Sequence, residues 1–321
     1  MTVSAVSERV ARDTFTVYLS MWTDALETGQ AMSSGRIALP ATVRTYRLAA
    51  EQLGAFLREK GMPADPTRLT REHVGEWIRH LRADVSDGGQ GLTEQTVLQR
   101  FRSVSRLFAW LLEEGEITES PMAKMKPPRP PEKLVPVVRH DDLVRLFKAT
   151  AGPGFEERRD KAIISLFIDC GLRVSEMAGI QIDDVDFDER EITIRGKGNR
   201  PRTVRFVKET RQDLQRYLLR RGGHPHFEDS ALWIGKRGPM TSNGVYQMVQ
   251  RRCERAGIDP IHPHMFRHTF AHEYLRAGGN EGDLMRITGW KSRQMVDRYG
   301  ASAAASRAIE RHDEFSPRRA L

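Results

Sequence analysis

The sequence predicts a mainly α-helical protein with one small antiparallel sheet, split into an all-helical first part and a mixed α+β second part. Three observations predict it. Apolar residues recur at helical spacing through most of the chain. Two short alternating segments, 191–195 and 202–207, flank the turn-forming run Gly196-Lys197-Gly198-Asn199 and read as a β-hairpin. The stretch KPPRPPEKLVP, residues 126–136, holds five prolines, which remove backbone donors and keep the chain extended, so it reads as a semi-rigid linker. The expected organisation is a helical domain over 1–125, the linker, and a second domain over 137–321.

In the first part, Val43, Tyr46, Ala50, Leu53 and Leu57 share one helix face. Thr70 suits the N-cap of a helix that buries Val74, Trp77, Ile78 and Leu81. Thr93 caps a longer helix, 93–114, with Val97, Phe101, Val104, Phe108 and Leu111 inside and Gly115 as its left-handed stop. Its polar side carries Gln95, Gln99, Arg102 and Arg106. The expectation is a bundle of four or five helices. In the second part, helices are expected over 141–150, 158–170, 209–221, 241–256, 264–277, 281–288 and 292–299. A last one, 301–314, has a mildly apolar face of Ala304, Ala308 and Ile309.

Charge narrows the function classes. The chain holds 51 Lys and Arg against 43 Asp and Glu, a net charge of +8. Residues 1–125 are near neutral, with 15 basic and 16 acidic side chains, so the excess lies in the second part. A basic balance fits nucleic acid or an anionic surface. Arginine far outnumbers lysine and matches phosphate bidentately; a GC-rich genome explains much of that bias. Cys170 and Cys253 form no CxxC pair or disulfide framework, which fits a reducing compartment. No apolar run approaches the ~18 residues of a membrane span, and the N-terminus lacks the apolar core of a secretion signal. The expectation is a soluble, cytoplasmic, nucleoid-associated protein that needs no membrane.

Several polar residues sit in unusual local settings. Arg173 follows a helix stop in CGLRVSEM, where on its own it reads as a surface arginine paired with Glu176. Lys197 is at the hairpin tip, where most lysines are only solvated, although a tip can reach into a groove. In HPHMFRHTFAHEYL, His264 and Arg267 are three apart and share a helix face, able to present an acid/base and a guanidinium to one phosphate. His264, His268 and His272 have a spacing that could bind a metal. The HExxH pattern fails, however, because Thr269 follows His268, and no Cys or Asp cluster adds ligands. His268 and His272 therefore read as helix-packing residues. In ITGWKSRQMVDRYG, Trp290 precedes Tyr299 by nine residues.

Together, GLRVSE, the GKG hairpin, HxxRH, the Gly-Trp pair and the tyrosine nine residues on resemble the tyrosine recombinase (phage integrase) family. The likeness extends to ATVRTYRLAAEQLGAFL and TEQTVLQRFRSVSRLFAWLLEEG, which resemble its helical, SAM-like core-site DNA-binding domain, and it runs from about Phe15 to Ile309. The resemblance implies that Tyr299 attacks a phosphodiester to form a 3′-phosphotyrosyl link. It implies that Arg173 and Arg267 clamp the non-bridging oxygens, that His264 exchanges a proton, and that Lys197 protonates the leaving 5′-oxygen. It further implies that Trp290 donates its indole N–H and that Glu176 orients the site. No metal, ATP or other cofactor is implied.

Many relatives carry histidine at the position of Trp290, and a tryptophan cannot exchange a proton there. This tilts the expectation toward integrases of phages or mobile elements, with Xer-type dimer resolution as the alternative. A type IB topoisomerase-like enzyme and a DNA-binding protein without catalysis are more remote. Little sequence precedes the core-binding helices, so no separate arm-binding domain is expected. The implied partner is double-stranded DNA with specific core sites. The implied assembly is a homo-tetramer on two duplexes formed from free monomers, with room for an accessory directionality protein. Candidate groove readers are the helices 93–114 and 241–256, and candidate contacts are Arg44, Arg47, Arg102, Arg106, Asn243, Gln247 and Arg251.

Overall fold

The computed structural model describes residues 14–31, 37–131, 136–195, 201–297, 299–300, 309, 312 and 316–320. Lys197 with the rest of the hairpin tip, and nearly all of the segment 301–314, lie outside the described residues. Contacts divide the chain into two compact units, residues 1–132 and 133–321.

The first unit contains helices α1 (Thr14–Thr28), α2 (Pro40–Glu59), α3 (Arg71–Arg82) and α4 (Glu94–Glu113). Their apolar faces meet in one core that includes Trp22, Leu53, Leu57, Trp77, Leu81, Val104, Phe108 and Leu111. Each such side chain, fully buried, contributes about 1.5–3 kcal/mol of transfer free energy, and burial of this kind holds amphipathic helices together. The Thr93 side chain accepts from the Thr96 N–H at the start of α4, and the Thr70 N–H donates to His73 Nδ1 at the start of α3. Gly54 lets α1 and α2 approach closely, because a Cβ there would lie 2.9 Å from Phe15 Cδ1.

The second unit contains α5 (His140–Ala149), α6 (Phe155–Cys170), the short α7 (Val174–Ala178), strands β1 (Val185–Asp186), β2 (Glu191–Arg195) and β3 (Pro201–Arg205), and α8 (Lys208–Arg221). The ribbon β4 (Ile234–Gly235) and β5 (Gly238–Pro239) follows, then α9 (Ser242–Ala256), α10 (Pro263–Arg276) and α11 (Glu281–Thr288). Residues 293–297 and 299–300 are also helical. The three-stranded sheet is antiparallel, in the order β1-β2-β3, with Ile192 paired to Val204. Ile192, Ile194 and Val204 face the core. Helix α6 is the buried spine of this unit, with Ile163, Ile164, Leu166 and Phe167 shielded from solvent. A buried ion triplet ties it to α9: Asp160 lies 2.7 Å from both Arg159 and Arg252. The remaining guanidinium donors reach the Ile234 and Ala149 carbonyls, so the charges are hydrogen-bonded as burial requires.

The mainly helical class with a small antiparallel sheet is the one expected. Two boundaries moved by more than one residue. Helix α6 starts at Phe155 instead of 158, because Glu156 and Glu157 place negative charge on its first turn. Strand β3 ends at Arg205 instead of 207, because the Val207 N–H donates to Asp169 and begins α8.

Candidate active site

The site is assembled at helix ends. Helix α6 stops at Gly171, whose φ is +58°, and a Cβ there would lie 2.5 Å from Phe270 Cδ1. Glycine is therefore required on both conformational and steric grounds. The turn delivers Arg173 to the N-cap of α7. The Glu176 carboxylate reaches back to accept the Arg173 N–H at 2.9 Å and its guanidinium at 2.7 Å. The expected Arg173–Glu176 pair is present, and the Arg173 side chain remains 40% exposed, so the guanidinium still faces solvent.

Glu176 is held from a second side by Arg202 of β3, which sequence reasoning missed. Arg202 donates from both Nη atoms to the carboxylate, at 2.9 and 2.8 Å, and from Nε to the Ile287 carbonyl near the end of α11. Burial raises the Glu176 pKa, but hydrogen bonds and charge from Arg202 and Arg173 outweigh it and bring the group down to about 2. The ionised carboxylate thus links α7, β3 and, through Arg202, α11.

Helix α10 supplies the next layer. Pro263 opens it, which brings His264, Arg267 and His268 into its first two turns. Arg267 is fully buried. It donates from Nη1 to the Gly171 carbonyl at 2.8 Å and from Nη2 to the Thr288 carbonyl, while its Nε has no protein partner. Burial, then the neighbouring charge of Arg173, pulls its pKa down to about 9, still high enough to leave it charged at neutral pH. His264 is exposed at its outer edge, yet partial desolvation, Arg267 and Arg173 lower its pKa and favour the neutral ring.

Helix α11 ends at the left-handed Gly289, and the chain then turns inward at Trp290. The Trp290 ring contacts two other site residues. The Arg267 guanidinium lies 5.1 Å from its centroid. The Tyr299 ring stacks on it at 5.0 Å with an interplanar angle of 3°. Tyr299 is 2% exposed. Its hydroxyl is hydrogen-bonded to His268 Nδ1, and His264 meets the His268 ring edge-on at 4.3 Å. The reading of His268 as a packing residue is therefore corrected: it lies at the hydroxyl of the candidate nucleophile. His272, by contrast, is buried beside Glu273, one residue on, as a local packing residue would be. Among the described residues, no cluster of three or more His, Cys, Asp or Glu could hold a metal ion.

The structure thus brings Arg173, Glu176, His264, Arg267, Trp290 and Tyr299 into one continuous network, together with Arg202 and His268. The candidate groove residues lie elsewhere. Arg44 and Arg102 are exposed, and Arg47 is paired with Glu51 at 3.0 Å. Thr42, Thr45, Gln95, Gln99 and Arg102 line a groove of about 610 Å³ between α2 and α4. Arg106 is partly committed to the fold, donating to the Ala31 carbonyl at 2.8 Å. Asn243, Gln247 and Arg251 form an exposed i, i+4, i+8 row on α9.

Comparison with known proteins gives the family. The sequence profile described as "Phage integrase family" matches residues 136–306. The tyrosine recombinase XerC of Pseudomonas aeruginosa is 31% identical over 238 residues, 73% of this chain and 75% of the relative. Among solved structures, the XerH site-specific recombinase bound to palindromic difH substrate superposes with a TM-score of 0.71 at 18% identity, covering 90% of this chain and 83% of that one. The Tn1549 transposon integrase in complex with a circular intermediate DNA gives a TM-score of 0.66 at 21% identity, covering 89% and 98%. With a family profile spanning more than half of its length and a relative above 30% identity over most of it, the chain belongs to the phage integrase family and is a tyrosine recombinase.

Proposed function

We propose that this recombinase integrates and excises a phage or other mobile element at specific core sites. Tyr299 attacks the scissile phosphorus. Its Oη–P bond forms as the P–O5′ bond breaks, leaving a 3′-phosphotyrosyl link and a free 5′-hydroxyl. Arg173 and Arg267 neutralise the non-bridging oxygens in the pentacoordinate state. Lys197 protonates the leaving 5′-oxygen. His264 exchanges a proton at the mouth of the site, Trp290 supplies an indole N–H and a stacking surface, and Glu176 fixes Arg173. The 5′-hydroxyl of another strand reverses the reaction, which conserves the bond energy. The observation that carries this reading is the run of contacts from Tyr299 through Trp290 to the charged, buried Arg267.

The first unit and the α9 face are the proposed DNA contacts. The working assembly is a tetramer on two duplexes, with the segment 301–314 of each protomer docked on the next. Xer-type dimer resolution is the second reading, favoured by the 31% identity to XerC. Both rest on one test. The protein is incubated with duplexes nicked close to candidate core sites, and covalent adducts are resolved on denaturing gels. Wild-type protein and Tyr274→Phe should form adducts, and Tyr299→Phe should form none while still binding. Adducts that persist in Tyr299→Phe refute the assignment. Recombination assays with the element's own ends and with chromosomal dimer sites then separate the two readings.

A further inference from the structure

We infer that Arg202 is a positioning residue, a single guanidinium that fixes the phosphate clamp and the segment carrying the nucleophile relative to each other. The inference rests on the proposed roles of Arg173 as a clamp on the phosphate and of Tyr299 as the nucleophile.

A guanidinium holds its N–H donors in a rigid planar fork, so one arginine can bind two groups only at a set angle and separation. Arg202 uses its fork in two directions. Its two Nη atoms donate to the two oxygens of Glu176 at 2.9 and 2.8 Å, and its Nε donates to the Ile287 carbonyl at 2.8 Å. Its side chain is 13% exposed, whereas Arg195 and Arg205 of the same sheet are 68% and 60% exposed. The Glu176 end leads to the clamp, since the Arg173 N–H and guanidinium donate to the same carboxylate.

The other end leads to the nucleophile. A helix leaves its last four carbonyls without partners inside the helix, and these need donors from elsewhere. In α11 they belong to residues 285–288. The Trp290 N–H donates to the Met285 carbonyl and the Gly289 N–H to that of Arg286, which closes the left-handed turn. The other two are taken by arginines of the site: Ile287 by Arg202 from β3, and Thr288 by Arg267 from α10. Both cations also meet the negative end of the helix dipole. A Cβ on Gly289 would lie 3.6 Å from Arg202 Cδ, so the stem of Arg202 packs directly on the turn. The chain leaves that turn as Trp290, on which the Tyr299 ring is stacked.

Arg202 therefore acts through its partners. It joins α7 to the end of α11, so that Arg173 on one side and the Trp290–Tyr299 stack on the other keep one spacing. In-line attack needs the tyrosine oxygen, the phosphorus and the leaving oxygen aligned, and a misplacement of about 1 Å costs about 100-fold in rate. Lysine at this position would keep a charge beside Glu176. Its single nitrogen, however, cannot reproduce the fork that spans the carboxylate and the Ile287 carbonyl.

Arg202→Met and Arg202→Lys of the full chain test this on the nicked core-site duplex. Gel shift gives half-site affinity, and denaturing gels give the single-turnover rate of adduct formation at saturating protein. Thermal melting sets an assay temperature at which each variant is fully folded. Rates are also taken on DNA with a bridging 5′-sulfur at the scissile phosphate, whose thiolate leaves without protonation. Affinity should stay within about threefold of wild type, while the saturated rate falls about 100-fold in Arg202→Met and at least about tenfold in Arg202→Lys. The sulfur should restore neither variant. Should Arg202→Met fail to fold, Arg202→Lys, which keeps the charge beside Glu176, decides the matter. A wild-type rate in Arg202→Lys would show that charge alone suffices. A loss confined to affinity would make Arg202 a DNA contact. Recovery on the sulfur substrate would place its effect at the leaving oxygen, through the hairpin that carries Lys197. Each of these overturns the inference. Wild-type protein that forms no adduct overturns the nucleophile assignment as well, and is thereby distinguished from a failure of Arg202 alone, in which wild type reacts.

Discussion

Replacing Glu176 with glutamine tests whether a single carboxylate holds the arginine side of the site together. Its side chain is 4% exposed, against 13% for Arg202 and 40% for Arg173. Glutamine keeps the shape but removes the charge, and it turns an amide N–H₂ toward a guanidinium that has donors of its own. The carboxylate pKa falls from 4.5 to about 2 in the folded chain. At about 1.4 kcal/mol for each tenfold change, that drop corresponds to about 3 kcal/mol favouring the ionised form. Solvent screening around half-exposed Arg173 trims it to about 2 kcal/mol. The sign follows from proton binding: the folded chain binds the proton more weakly than the unfolded chain, so the stabilisation is complete well above 4.5 and is lost as pH falls through 2. Roughly a quarter of it should be gone at pH 4 and roughly 60% at pH 3. Urea denaturation of wild type and Glu176→Gln, read at the transition of the second unit, measures the difference. With a slope of about 2 kcal/mol/M, the midpoint at pH 7 should drop by about 1 M, and the gap should narrow at pH 3. A midpoint change under about 0.2 M at pH 7, or a gap that does not narrow with acid, would refute the account of Glu176 as the charge that ties α7 to β3.

Three further outcomes are expected. Adduct formation should continue in excess EDTA, since in the proposed mechanism two guanidinium groups supply at the phosphate the charge a metal would; strict dependence on Mg²⁺ or Zn²⁺ would defeat that mechanism. Arg102→Gln and Arg251→Gln should each flatten the log–log salt dependence of DNA affinity by about one, while Arg106→Gln should mainly lower thermal stability, because Arg106 donates to the Ala31 carbonyl; unchanged slopes in the first two would move the DNA footprint elsewhere. Truncation after Gly300 should leave half-site binding intact but weaken cooperative filling of two half-sites and abolish strand exchange, and gel-shift titration with a recombination assay would detect retained cooperativity.

The parts of the fold that could be read in advance are those whose signal is local. Helix α4 declared itself through Thr93, the apolar spacing from Val97 to Leu111 and the stop at Gly115, all within a short stretch of chain. The hairpin strand β2 did so by alternation, with Ile192 and Ile194 facing inward. Strands β1, β4 and β5 have two residues each, too short for any period to appear. They pair with backbone only a few residues away, β1 with β2 and β4 with β5, whereas the isolated Gln181–Ala231 bridge, beside which the Ile182 N–H donates to the Ser230 carbonyl, joins segments that no local pattern links.

The site divides along the same line. Arg173 and Glu176 could be paired from sequence because they are three residues apart on one turn, and the spacing of His264 to Arg267 carried the same information. Arg202 could not be found that way. Nothing in the hairpin's local pattern distinguishes it from Arg195 of β2 or Arg205 of β3, and its role arises only when β3 meets α7 and the end of α11, 26 and 85 residues away in the chain. His268 shows how local reasoning can also mislead. Its i+4 relation to His264 and its place between Arg267 and Thr269 describe a residue on a packed helix, and that description is true. What the helix cannot supply is the partner: Tyr299 comes from 31 residues on, after the left-handed turn at Gly289 folds the chain back onto α10. A histidine's function depends on the group its ring nitrogen meets, and here a tertiary turn, not helical spacing, decides that meeting.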